Sequence, residues 1–323
     1  MHNFEEIARV DGSHAATVAA ENSLGIGPLY YFGSEEQKRK YLPKLCKGEA
    51  LWGFGLTEPN AGSDASNSKT AAVLDGNEWV INGSKIFITN AATRITSGVT
   101  VLARTGVRGD GKAELSCIVV EAGTRGFTAK PMHGKMMWRS SNTAELYFED
   151  CRVPKDNLLG PRGNGFHQMM QTLDGGRLSI AAMGLGGAQG CFDRALRYSN
   201  EREQFGRPIA TFQANAFKLA DMALEILRHR LADTNLQTVL TSGPPGQPSF
   251  IRPVDAPAAA SRIDGATVVS RAQDLAEAGL RVRIRAQGSG VAPDVLRREL
   301  LELWLDWLGN APHPPGCSRK TRL

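Results

Sequence analysis

The stretch Gly53–Ser66, read Gly-Phe-Gly-Leu-Thr-Glu-Pro-Asn-Ala-Gly-Ser-Asp-Ala-Ser, sets two short hydroxyl side chains, Thr57 and Ser63, among glycines after an apolar, strand-like lead-in. Glycine lets backbone N–H groups approach a ligand closely, so a loop of this kind at a strand end can hold an anionic or hydrogen-bond-rich ligand. Pro59, Asn60, Gly62 and Asp64 are also ordinary turn formers, and taken alone the stretch reads first as a turn. Asp174 and Arg177, three apart, share one helix face and read on their own as a helical ion pair. His133 and His167 have no carboxylate or second histidine close in sequence and read as structural. Five scattered cysteines, with no C-x-x-C pair and no histidine at ligand spacing, argue for a reducing compartment and against a disulfide or zinc framework; no metal is expected.

The elements that must carry these residues change character along the chain. Residues 1–50 read as helical, with Ala15–Asn22 as the tail of an apolar helix. Ser34-Glu-Glu-Gln37 forms a capping box for a helix over Glu35–Leu42 that Pro43 ends. Residues 51–160 read as antiparallel β. Asp75-Gly76 and Asn82-Gly83 are hairpin signals, and Val99–Arg104, Leu115–Glu121 and Thr143–Phe148 are further strands. A Gly-x-Gly-x-x-Gly after a strand is missing, which leaves a dinucleotide-binding βαβ unit unsupported. Residues 161–230 return to the helical period. A long helix over Gly165–Asn200, rich in small residues, precedes a second over Ala210–Arg230 with Phe212, Phe217, Leu219, Met222 and Ile226 as its apolar face. The fold class expected is α+β: a partial N-terminal helical domain, a central antiparallel β domain and a C-terminal helical bundle, incomplete or divergent.

The composition narrows the classes of function. The chain has 323 residues, 41% hydrophobic and 22% charged, as in ordinary globular proteins with room for two or three domains. Its net charge of +5 is not gathered into a basic run before the C-terminal part, which argues against nucleic acid and leaves anionic small ligands open. No apolar run is long enough to span a membrane. Without a basic, then apolar, leader the default location is a bacterial-type cytoplasm.

Five motifs in order decide the reading. Thr57-Glu-Pro-Asn-Ala-Gly-Ser-Asp64 is followed by Ile81-Asn-Gly-Ser-Lys-Ile-Phe-Ile-Thr-Asn90, Phe148-Glu-Asp-Cys-Arg-Val-Pro154, Leu173-Asp-Gly-Gly-Arg177 and Glu201-Arg-Glu-Gln-Phe-Gly206. Over about residues 1–227 the chain resembles the acyl-CoA dehydrogenase family of flavoenzymes, in particular its short-chain-like bacterial members. The resemblance implies FAD as cofactor. Phe54, Leu56, Thr57, Gly62 and Ser63 would lie against the flavin, ribityl chain and pyrophosphate, and Phe87, Ile88 and Thr89 would form the opposite wall. Arg202, Gln204, Phe205 and Gln213 would meet the FAD of a neighbouring subunit; a guanidinium such as that of Arg202 suits phosphate through its charged fork of donors. Ser63, Asp174 and Arg177 would lie near the acyl-CoA substrate. The resemblance further implies fatty acid metabolism, a homo-oligomer (tetramer or dimer) and an electron-transfer flavoprotein as electron acceptor.

The reaction so implied removes the α-proton of an acyl-CoA thioester while a hydride leaves the β-carbon for flavin N5, and it needs a carboxylate base. The short-chain-like members carry that Glu in a late Glu-Gly-Thr segment, which is missing here; other members carry it at the position held by Gly176. The catalytic base is therefore unidentified. Gln287-Gly-Ser-Gly290 is a faint echo of a family flavin segment, and Glu299, Glu302 and Asp306 align with no motif. Residues 231–323 read as a divergent tail. Nine of the sixteen prolines lie at or beyond Pro244, and after Lys218 lysine recurs once, at Lys320, while arginine becomes frequent. Ser242–Asp264 reads as a linker and Ala272–Ile284 and Val295–Leu308 as helices. This change after about Ile226, with loss of every expected motif, suggests a reading-frame shift, and the short N-terminal helical part a truncated start. The alternatives to a dehydrogenase are an inactive remnant that binds flavin or does not, and an acyl-CoA oxidase.

Overall fold

The structure, a computed structural model, describes residues 2–241, with side chains through residue 230. Met1–Gly187 forms one compact unit, and a second begins at Ala188. The expected linker, the two late helices, Gln287–Gly290 and the late acids Glu299, Glu302 and Asp306 lie outside the described residues.

The N-terminal helices are α1 His2–Val10, α2 Gly12–Ala20, α3 Ile26–Phe32 and α4 Glu35–Cys46, with a π-helical turn over Glu21–Gly25 between α2 and α3. Asp11 caps α2 by accepting from the Ser13 N–H at 2.7 Å. The capping box forms as read: Gln37 N–H donates to Ser34 Oγ at 3.2 Å, and Ser34 N–H to Gln37 Oε1 at 3.0 Å. Pro43 does not end α4, which runs on to Cys46. Tyr41 and Leu45, on either side of the proline, are buried in a core cluster, and that packing outweighs the hydrogen bond a proline cannot donate.

The middle of the unit is an eight-stranded sheet of β1 Leu51–Gly55, β2 Ala71–Asp75, β3 Glu78–Thr89, β4 Thr96–Val107, β5 Ala113–Glu121, β6 Phe127–Pro131, β7 Thr143–Pro154 and β8 Leu158–Leu159. The spatial order is β6-β7-β3-β2-β4-β5-β8, with β1 branching onto β4. Most pairs are antiparallel, but β1 and β2 each meet β4 in parallel, a departure from the purely antiparallel expectation. Period-two alternation sorts β5: Ile118 and Val120 enter one core, while Cys117 and Val119 face a second that α3, α4 and Met169 cover.

Asp75-Gly76 makes the hairpin expected of it, with Gly76 at φ +60°. Asn82-Gly83 does not. It lies inside β3, where the register against β7 shifts between Ile81 and Gly83. A Cβ on Gly83 would lie 2.7 Å from Thr70 Cα, and its φ is +143°, so the glycine admits a neighbouring backbone rather than turning the chain.

Helix α5, Gly165–Glu201, runs through the end of the first unit. Its Gly186 lies against the backbone of Glu5, and Met183 shares a small cluster with Ala8, Ala15, Ala16 and Ala19, so α1 and α2 lie along it. In the second unit, β9 Glu203–Gln204 and β10 Arg207–Pro208 form a tight ribbon ahead of α6, Gln213–Thr241. Leu219, Ala223, Ile226 and Leu227 are the buried face of α6; Phe217, expected there, is 60% exposed.

Candidate functional site

The loop after β1 is shaped by its own backbone. Glu58 and Ala61 exchange N–H···O bonds at 3.0 and 3.1 Å around Pro59 and Asn60, and Ser66 Oγ donates to Asp64 Oδ1 at 2.9 Å. Gly62 and Ser63 are exposed, and a Cβ on Gly62 would meet nothing within 4 Å, leaving open space over the backbone. Thr57 and Phe54 are half-buried, and Leu56 is buried.

A sealed ion pair anchors this loop from beneath. Lys85 Nζ lies 2.8 Å from Glu58 Oε1 and donates to Leu56 O at 3.1 Å and Ser68 Oγ at 3.1 Å. Glu58 also accepts from Ser68 Oγ at 2.5 Å and from the backbone N–H groups of Lys69 and Thr70 at 2.8 and 3.0 Å. Burial opposes the Glu58 charge, but Lys85 and these donors overcome it and hold the carboxyl down at about 2. Neither residue stands out as a ligand contact in the sequence; the signal that could have found them is a lysine inside the otherwise uncharged segment Ile81–Thr89.

The same strand carries the opposite wall. Ile86 N–H donates to Thr57 O at 2.9 Å, joining β3 to the loop. Phe87 then sits at φ +63° with its ring 60% exposed, an uncommon conformation for a bulky residue. Ile88 points the other way into the sheet core, 2% exposed, so its side chain is withdrawn from any such wall. Thr89 is half-buried and borders a cavity of about 290 Å³.

That cavity lies within the first unit. Ala16, Ala19 and Ala20 of α2 line it, with Ser23 and Leu24 from the π turn, Leu173, Gly176, Arg177 and Ile180 of α5, and Trp138 from the loop before β7. Of the three expected substrate contacts, Arg177 lines this cavity and pairs with Asp174, while Ser63 is exposed on the loop after β1 and does not line it. Glu21 follows the lining residue Ala20, yet its carboxylate accepts from Trp52 N–H at 2.9 Å and lies 3.5 Å from Asn90 Nδ2. Burial pushes Glu21 up to about 7, against those two donors. Among the described residues, no carboxylate thus lines the cavity. Among the described residues there is also no cluster of His, Cys, Asp and Glu that could hold a metal.

In the second unit, Arg202, Gln204, Phe205 and Gln213 are all exposed around the β9–β10 ribbon. Phe205 is 92% exposed at φ +53°, and Arg207 stacks over Phe212 at 4.3 Å. Phe205 and Arg202 are thus both exposed on this unit.

Three family models match the chain in order: the acyl-CoA dehydrogenase N-terminal domain at residues 1–49, the middle domain at 53–151 and the C-terminal domain at 163–259. The solved butyryl-CoA dehydrogenase of Megasphaera elsdenii is similar over 94% of this chain and 76% of its own, with TM-score 0.70 and 35% identity. The chain belongs to the acyl-CoA dehydrogenase family. The Probable acyl-CoA dehydrogenase YngJ of Bacillus subtilis is 53% identical over 222 residues, 69% of this chain and 58% of that protein. An acyl-CoA dehydrogenase of Bacillus anthracis solved complexed with FAD is similar with TM-score 0.68 and 31% identity, over 94% of this chain and 48% of that one. The chain thus spans 58% of the length of the first curated relatives it matches. Its C-terminal match reaches residue 259, past the point near Ile226 where the motif pattern ends. No helix among its described residues is long and apolar enough to cross a membrane.

Proposed function

We propose that this chain binds FAD between the Gly53–Ser66 loop and the Phe87–Thr89 segment and acts as an acyl-CoA dehydrogenase, oxidising an acyl-CoA thioester between its α and β carbons. One observation carries the reading: Thr89 belongs both to the wall that presents Phe87 and to the apolar cavity that reaches Arg177. A planar ring system stacked on Phe87 would meet an acyl group held in that cavity.

The residues present fit the cofactor. The open backbone over Gly62 and Ser63 suits a pyrophosphate, Thr57 offers a hydroxyl at its edge, and the exposed ring of Phe87 offers a stacking face. Bound FAD would supply the two-electron acceptor, taking the β-hydride while the α-proton passes to a base and the carbon–carbon double bond forms. The Glu58–Lys85 pair keeps the loop in place, and the alanines of α2 keep water away from the acyl chain. Asp174 and Arg177 would meet the polar part of the acyl-CoA. Arg202, Gln204, Phe205 and Gln213 would serve the FAD of a neighbouring subunit in a homo-oligomer, and electrons would leave to an electron-transfer flavoprotein.

That no carboxylate lines the cavity among the described residues favours a second reading, a protein that binds flavin without turnover. Gly176 cannot act as base, and Glu21 is turned to Trp52 and Asn90. The purified chain, reconstituted with FAD and titrated anaerobically with acyl-CoA, separates the two. Loss of visible flavin absorbance supports the dehydrogenase, and a stable yellow protein supports the second reading. A protein that takes up no FAD overturns both.

A further inference from the structure

Resting on the acyl-CoA reading above, we propose that Trp138 closes the tail end of the acyl cavity and sets the length of acyl group the protein accepts, favouring short to medium, uncharged tails. The contacts orient the cavity. A Cβ on Gly176 would lie 3.1 Å from Leu24, while Gly186 lies against Glu5, so α5 runs antiparallel to the α1–α2 segment. A Cβ on Gly12 would lie 3.0 Å from Trp138 Nε1, which puts the indole one helical turn before Ala16. Arg177 and its partner Asp174 therefore lie toward the Leu24 end, and Trp138, Ala16 and Ile180 mark the other. The charged pair suits the thioester and the polar carrier; the opposite end suits the tail.

Trp138 is the one aromatic side chain among the described residues that line the cavity, and its turn is tied down. It holds φ +50°, a left-handed conformation of the kind found at ligand clamps. Ser141 N–H donates to Trp138 O at 3.1 Å, Thr17 Oγ1 donates to Ser141 Oγ at 3.2 Å, and Lys135 Nζ donates to Thr143 Oγ1 at 2.9 Å. Glycine at position 12 is what lets the ring come so close to α2. From Ala16 to Leu24 the helical rise gives roughly 12 Å of length. The volume of about 290 Å³ holds on the order of ten water-sized groups at ~30 Å³ each. Among the described residues the tail end has no charged lining group, so a tail bearing a carboxylate would meet no charged partner from them there.

The test is calorimetric titration of the FAD-loaded protein with unreactive thioether analogues: S-butyl-CoA, S-octyl-CoA, S-dodecyl-CoA and S-(4-carboxybutyl)-CoA. We expect the wild-type chain to bind the butyl and octyl analogues, with affinity rising by about fourfold for each methylene in contact, and the dodecyl and carboxylated analogues far more weakly. Trp138→Ala should improve dodecyl binding at least tenfold relative to butyl, while Trp138→Phe stays close to wild type. Ala16→Leu, which fills the same end from the other wall, should weaken octyl binding about tenfold and leave butyl binding within threefold, so the proposal does not depend on one variant folding. An unchanged dodecyl-to-butyl ratio in Trp138→Ala, or wild-type protein that binds dodecyl as tightly as octyl, overturns the proposal alone. Failure of every analogue to bind overturns the acyl-CoA reading with it.

Discussion

Lys85 Nζ stands 2.8 Å from Glu58 Oε1 with both side chains sealed from solvent, directly beneath the loop that carries Thr57 and Ser63. Removing one partner leaves the other charge buried and unpaired. Lys85→Met should therefore destabilise the chain by about 3–5 kcal/mol, and Lys85→Met with Glu58→Gln together should cost clearly less than the sum. Urea unfolding of both variants checks this, and FAD uptake should fall with the single substitution because the Leu56 carbonyl loses its anchor.

Glu58 also fixes an acid limit. Its carboxyl is held at about 2 in the fold against an ordinary 4.5, so its contribution is fully present above about pH 4.5 and is lost as pH falls toward 2. The loss amounts to about 3 kcal/mol. Denaturant midpoints measured between these pH values should fall steeply in the wild type and much less in Glu58→Gln.

Glu21 acts in the opposite sense and in a separate window. Burial raises it to about 7 from 4.5, so the folded chain holds a proton that the unfolded chain releases. Stability should fall as pH rises from about 4.5 to 7 and level off above that, by roughly 3 kcal/mol. Glu21→Gln keeps an acceptor for the Trp52 N–H and removes the titration, so its stability should be flat through the same range and exceed wild type at about pH 8. Thermal melts across the range decide it; a wild-type curve as flat as the variant's would count against a protonated Glu21.

Two glycines separate fold from ligand. Gly83→Ala must fit a Cβ 2.7 Å from Thr70 at φ +143° and should cost about 2–4 kcal/mol in unfolding experiments. Gly62→Ala meets open space and should change stability by less than about 0.5 kcal/mol. Its expected effect is on FAD affinity, measured by fluorescence titration, because a methyl group would occupy the approach to the backbone.

Phe87 should show a similar split. Its exposed ring contributes little to the core, and Phe87→Gly relieves the positive φ, so stability should hold or rise by about 1 kcal/mol. Loss of the stacking face should weaken FAD binding about tenfold. Equilibrium titration of the variant, with its melting curve as control, measures both.

Much of the fold and the order of the site was legible in the chain because local chemistry determined it. Ser34 and Gln37 cap α4, Asp75-Gly76 turns the β2–β3 hairpin, and apolar-rich segments mark β4, β5 and β7 as strands. The motif order from Thr57 to Gly206 specified the family, since each motif is a short continuous segment. What the sequence could not decide depends on distant neighbours. Pro43 stays inside a helix because Tyr41 and Leu45 are packed, and Gly83 serves close approach because Thr70 lies over it. Ile88 and Phe87 part to opposite faces because one side of β3 is core. Glu58 and Lys85, far apart in sequence, become a single buried pair, and Glu21 gains its raised proton affinity from burial, against the Trp52 N–H that it accepts. Burial and pairing arise only when separate segments meet, so the chemistry of these side chains is set by the tertiary structure.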